Sequence, residues 1–270
     1  QTNVIPEPFL GYLHYYPPHD PYSTRREFVD AFAGDGFQPL EKPESIYSKH
    51  QFSAKQQNEQ RRQYDEYILL VDSEFDRLFS YLGQSGVLEN TYVIFTSDHG
   101  DMFERGIVGH NTKLITLPLV HIPLIIFEPG RTSRHDVYQT TSAVDLLPTL
   151  LSATGRKIPD WCEGEVLPPF RSGELDPDRS IFALRANDSK QFGEIEPRSA
   201  MILKGDYKLT HYYGHVELGK QGSLVEMYDI KNDPEEMVNL SESKLSIARE
   251  LNDELSETIR IANERSTFEG

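Results

Sequence analysis

The sequence predicts an α/β fold: a doubly wound, mainly parallel sheet flanked by helices, followed by a small antiparallel sheet with a terminal helix. Three observations predict it. Two short, unbroken apolar runs, Tyr92–Thr96 and Pro123–Phe127, have the composition of strands buried on both faces. Helical periodicity at about 55–83 and 142–153 alternates with them. Beyond about Pro168, short strand candidates separated by turn signals replace that alternation. We therefore expect two domains, 1–170 and 171–270, joined through a polar stretch at 171–180 that is rich in Asp, Pro and Gly.

Taken in order, the segment from Pro8 to Tyr16 (PFLGYLHYY) is aromatic and apolar, as a buried strand is. Pro17 to Tyr22 must leave any ladder, because proline has no N–H to donate, and this puts His19 on a loop past a strand end. Residues 23–54 are polar, broken by Gly and Pro, and read as loop with short helices. Over 55–83, Tyr64, Tyr67, Ile68, Val71, Phe75, Leu78, Phe79 and Leu82 recur at three- and four-residue steps, and Gly83 and Gly86 close the helix. In the helix at 142–153, Val144, Leu147, Leu150 and Leu151 are expected inward. Strand candidates follow at 181–185, 199–203, 207–212 and 225–228. A final amphipathic helix covers 242–263, with Leu245, Ile247, Leu251, Leu255, Ile259 and Ile261 available for packing.

Composition limits the function. A chain of 270 residues with 37% hydrophobic and 11% aromatic residues can bury a core. Its formal net charge of −16 disfavours nucleic acid and anionic membrane as partners, yet a local site can still oppose that field and take an anionic substrate. Cys162 is the single cysteine, so neither an intrachain disulfide nor a thiolate zinc site can be built, and a structural role suits it better than that of a nucleophile. The most apolar stretch, 114–127, is broken by Pro118, His121 and Pro123 and is too short to span a membrane. The chain opens at Gln1 with no export signal, which leaves the compartment open. Oligomeric state is not legible.

Three places could carry chemistry. Asp98 and His99 follow the strand at 92–96 and precede Gly100 and Asp101. Ligands of doubly wound sheets bind beyond such strand ends, and a carboxylate beside an imidazole suits a divalent cation. Gly100 would let a ligand come close. Taken alone, an Asp-His pair is more often a turn cap. His19 is held stiffly by Pro17, Pro18 and Pro21, which suits a proton donor or an anion contact; alone it reads as a surface histidine. In GHNTK, residues 109–113, a titratable His110 lies near Lys113, a natural partner for a sulfate or phosphate oxygen, though a solvated lysine is the ordinary alternative. His14, His50, His121, His135, His211 and His215 have no comparable context. Asn187-Asp188-Ser189 and Asn239-Leu240-Ser241 fit glycosylation acceptors, a pattern common by chance.

The order of these motifs resembles the sulfatase family of the alkaline-phosphatase-like superfamily over nearly the whole chain. The matching pieces are PPHDP, LGQSGVLENTYVIFTSDHG, GHNTK, HIPLIIFEPG, SAVDLLPTLLSATG, GDYKL and EMYDIKNDPEEMVNL. The resemblance implies that Asp98 and His99 coordinate a divalent cation, usually Ca2+, although calcium prefers oxygen and His99 offers nitrogen. It implies that His19 contacts the ester near its leaving oxygen and that Lys113 binds a sulfate oxygen. His110 would assist the leaving group or bind substrate. Two departures stand out. The run after Lys113 is Leu-Ile-Thr-Leu-Pro rather than the family's Thr-Leu-Tyr-Glu-like run. The Cys/Ser-x-Pro-x-Arg motif that yields the formylglycine nucleophile is absent from these residues. The expectation is the C-terminal portion of a sulfuric-ester hydrolase acting on a sulfated small molecule or carbohydrate, inactive in isolation, of a periplasmic, secreted or lysosomal-type compartment. The alternatives are a phosphoester or phosphonate hydrolase of the same superfamily, and a non-catalytic domain.

Overall fold

The computed structural model describes residues 8–48, 52–173, 176–186 and 194–268. Its elements in chain order are α1 (Ala54–Gln84), β1 (Val93–Thr96), β2 (Met102–Glu104), β3 (Ile107–Gly109), α2 (Leu117–Val120), β4 (Leu124–Phe127), α3 (Leu146–Ala153), β5 (Ile181–Ala186), β6 (Pro197–Lys204), β7 (Tyr207–Tyr213), β8 (Ser223–Asp229) and α4 (Leu245–Phe268). Strands pair as β1-β4, β2-β3 and β5-β6-β7-β8. The chain divides into two compact units. One holds residues 1–94, 102–109 and 126–130; the other holds 95–101, 110–125 and 131–270.

In the first unit, α1 starts at a capping box. Ser53 Oγ accepts from Gln56 N at 3.3 Å, and Gln56 Oε1 accepts from Ser53 N at 2.9 Å, so two otherwise orphaned N–H groups are satisfied reciprocally. The helix runs through Gly83; the left-handed residue that follows its end is Gly86, at φ 78°. Its apolar face packs in two aromatic groups. Tyr64 meets Tyr22 and Phe103 at ring distances of 5.4 and 5.3 Å, while Phe75 and Phe79 meet Phe127 at 5.8 and 4.5 Å. Strands β2 and β3 form a hairpin with the register Met102–Gly109, Phe103–Val108 and Glu104–Ile107. Its two-residue turn, Arg105 at φ 54° and Gly106 at φ 80°, has the positive angles that match strand twist.

The segment at 8–16 corrects the sequence reading. It forms no strand, and Leu10, Tyr12 and Leu13 are 87, 83 and 66% exposed. Apolar composition makes a strand only where another strand supplies the ladder, and among the described residues none lies beside it. Strand β1 is likewise half-buried rather than enclosed.

The second unit is built around the antiparallel meander β5–β8. Met201 faces Thr210, and Leu209 faces Met227. One sheet face, with Ala200, Ile202, Leu209 and Met227, closes over Ala248, Leu251 and Leu255 of α4. Leu245 and Ile261 are exposed, contrary to expectation. Val144 and Leu147 are also exposed, because a polar anchor decides which side of α3 faces in. Asp145, with no exposed surface, accepts from Ser142 N at 2.7 Å, Glu165 N at 2.8 Å and two Arg179 nitrogens at 3.0 Å each. Among the described residues, no helix is long and apolar enough to cross a membrane.

Candidate functional site

Residues 97–101 leave β1 as a short loop whose course is fixed by backbone packing. Gly100 N donates to Leu119 O at 3.0 Å, and a Cβ at Gly100 would stand 2.1 Å from Pro118 O. The glycine thus answers to its own chain, where the sequence suggested ligand approach. Asp98 accepts from His99 N at 3.1 Å, and its side chain is 75% exposed. His99 Nε2 lies 3.8 Å from Asp98 Oδ2, a separation that two ligands of one ion can have.

His99 faces His110, with ring centroids 4.1 Å apart. Asp101 Oδ1 is 2.7 Å from His110 Nδ1. His99, Asp101 and His110 each offer one ligand atom within 4.8 Å of the other two. Sequence reading passed over Asp101; its spacing of nine residues from His110 carries no motif, and only the intervening β2–β3 hairpin returns the chain to it.

Lys113 lies in the same unit. Its ammonium donates to both carboxylate oxygens of Glu217 at 2.6 Å, in a pair whose side chains are 34 and 12% exposed. Ser199 Oγ donates to Lys113 O at 2.7 Å and lies 3.3 Å from His215 Nε2. Burial, and then the charge of Lys113, hold the His215 imidazole below the usual histidine range. No motif marks Glu217 or Ser199, and His215 reads as a bystander in the sequence.

His19 belongs to the other compact unit. Its Nδ1 lies 2.7 Å from Asp20 O and 3.0 Å from Asp20 Oδ1, and its ring packs on Tyr16 with centroids 4.7 Å apart. Cys162 is half-buried and forms no disulfide. The acceptor triplet at 187–189 and His50 lie outside the described residues.

The sulfatase family model matches residues 1–156. The chain belongs to the sulfatase family. Residues 109–262 also match the family model described as N-sulphoglucosamine sulphohydrolase, C-terminal. The N-acetylglucosamine-6-O-sulfatase of Bacteroides thetaiotaomicron is 31% identical over 183 residues, covering 66% of this chain and 31% of that protein. A solved structure of BT4656 with its substrate D-glucosamine-2-N,6-O-disulfate is 26% identical at a TM-score of 0.57, covering 79% of this chain and 42% of the other. The phosphonate monoester hydrolase of Agrobacterium radiobacter shares the fold at a TM-score of 0.69 and 20% identity, covering 92% and 55%. These neighbours bear out the alkaline-phosphatase-like fold class, within which this sulfatase chain contributes β1 and β4, the β5–β8 sheet and the closing helix. The chain spans from about a third to about half the length of the curated relatives it matches.

Proposed function

We propose that this chain is part of a sulfuric-ester hydrolase and supplies one side of its metal and sulfate site. The observation that carries the reading is the sulfatase match over residues 1–156, a span that contains His19, Asp98, His99, His110 and Lys113. Asp98 and His99 hold a divalent cation, Ca2+ by family precedent. Bound there, such a cation withdraws charge from sulfate oxygens. Lys113 binds an ester oxygen and offsets charge that grows in the transition state. His19 delivers a proton toward the leaving oxygen, and His110, its Nδ1 on Asp101, orients the same group. The nucleophile, a formylglycine, comes from residues outside these 270, so the chain alone turns nothing over. We keep the domain boundary near residue 170, with the part beyond it contributing Ser199, His215 and Glu217 around Lys113. The substrate class is a sulfated carbohydrate, in line with the aminosugar sulfates named for two relatives.

The test is turnover of aryl sulfate against aryl phosphate by the full-length protein carrying these residues. Faster sulfate hydrolysis, abolished by Asp98→Ala with the fold kept, is expected. Phosphate turnover without sulfate turnover would establish the rival phosphoester reading. Multi-turnover sulfate hydrolysis by the 270-residue chain would end the claim that its nucleophile lies elsewhere.

A further inference from the structure

The imidazole of His99 is prepared for metal in a way the Asp98–His99 pair does not explain. His99 Nδ1 lies 3.0 Å from Gly100 O. A carbonyl oxygen only accepts, so the proton sits on Nδ1 and the lone pair on Nε2. Asp101 Oδ1 lies 2.7 Å from His110 Nδ1, so a carboxylate oxygen and a ring nitrogen already stand side by side, as two donors to one ion do. Metal-binding histidines ordinarily use their other ring nitrogen as His99 does, on a carboxylate or a backbone carbonyl. The rings face each other at 4.1 Å, and ligand atoms of His99, Asp101 and His110 lie within 4.8 Å of one another.

We propose that His99, Asp101 and His110 form a binding site for a transition-metal ion of the Zn2+ class, distinct from the Asp98–His99 site. Two nitrogens and one oxygen suit Zn2+, whereas Ca2+ prefers an all-oxygen shell. Zn–N and Zn–O bonds of roughly 2.0–2.2 Å put tetrahedral ligand atoms about 3.3 Å apart. The present spread of up to 4.8 Å closes by side-chain rotation of about an ångström or so. His99 is common to both sites, so an ion of this class competes with the cation that Asp98 would share. Zinc is therefore an inhibitor of the intact enzyme, and calcium relieves it.

The binding claim does not depend on the sulfatase reading and is tested on the 270-residue chain itself. Calorimetric titration with ZnCl2 is expected to give one ion per chain, with little heat from CaCl2 at the same concentration. Asp101→Asn and His110→Ala are expected to weaken Zn2+ about tenfold or more. Asp98→Asn and the control His121→Ala, a substitution at an exposed histidine, leave it within about twofold. Circular dichroism establishes that each variant is folded, and Asp101→Asn keeps the side-chain shape if His110→Ala does not fold. Absence of stoichiometric Zn2+ binding overturns the proposal. So does a loss with Asp98→Asn that Asp101→Asn does not share, because the ion then sits between Asp98 and His99.

Discussion

Lys113 and Glu217, 104 residues apart in sequence, form a two-point ion pair at 2.6 Å to each carboxylate oxygen. Lysine has three N–H donors, and Glu217 takes two of them, which fixes where the ammonium points. In the proposed reading Glu217 is thus a positioning residue. Glu217→Gln retains an acceptor but loses the charge and one anchor. In the full-length enzyme it is expected to lower kcat/KM for aryl sulfate about tenfold, equal to about 1.4 kcal/mol of transition-state stabilisation, with Glu217→Asp recovering part of it. Stability is expected to change by no more than about 1 kcal/mol, since the lysine is one-third exposed and such pairs contribute little. Paired steady-state kinetics and urea denaturation check both halves.

Gly100 tolerates no side chain. A Cβ would stand 2.1 Å from Pro118 O, and the hydrogen bond from Gly100 N to Leu119 O leaves the backbone no room to retreat. Gly100→Ala is expected to cost about 1–3 kcal/mol, in the range of overpacked cores, and to shift Asp98 and His99 away from any shared ion. The urea midpoint of the variant and its divalent-ion titration are the measurements; wild-type values in both would remove the steric argument.

Helix α1 and the β5–β8 sheet were legible because each carries many periods of its pattern, and the strand candidates at 199–203 and 207–212 fall within β6 and β7. The hairpin at 102–109 was not legible. Its strands are three residues long, too short for a period, and its Arg105-Gly106 turn lacks the Asn-Gly or Asp-Gly that marks such loops. Residues 8–16 misled because aromatic content reports a tendency to be buried, while a strand also needs an edge to join. The candidate residues Asp98, His99, His110 and Lys113 were readable as local motifs. Asp101, Ser199 and Glu217 were not, since what they do depends on a partner distant in sequence or across a hairpin.

His211 and His215 both have their titration pushed below the ordinary histidine range, chiefly by burial. For His211 the hydrogen bond with Asn252 opposes the shift, and among the described residues Nε2 has no hydrogen-bond partner. A depressed histidine is neutral in the fold and takes its proton more readily once unfolded. The stability it supports is therefore complete above about pH 6.5 and is lost as pH falls through the lower folded value. Each proton gained on unfolding makes stability fall by about 1.4 kcal/mol per pH unit in that window. His211→Gln is expected to flatten the Tm profile between pH 5 and pH 7 without altering it at pH 8. An unchanged slope would show that His211 does not couple folding to pH.

Lys208 and Glu236 form a deeply buried ion pair, each side chain being 2% exposed. Glu236 Oε1 accepts from the Lys208 ammonium, and its Oε2 accepts from Leu117 N at 3.1 Å. The glutamate therefore ties β7 to the N-terminus of α2, which follows the Lys113 loop directly. Removing one member leaves the other charged without its counter-ion in a site closed to water, and Glu236→Ala or Lys208→Met alone is expected to cost about 3–5 kcal/mol. The double substitution Lys208→Met with Glu236→Gln leaves no buried charge and keeps an acceptor for Leu117 N. It is expected to recover more than half of the loss of either single change. The coupling energy from a double-mutant cycle in urea measures this. If the losses simply add, the two side chains act independently and the tie between β7 and α2 is not electrostatic.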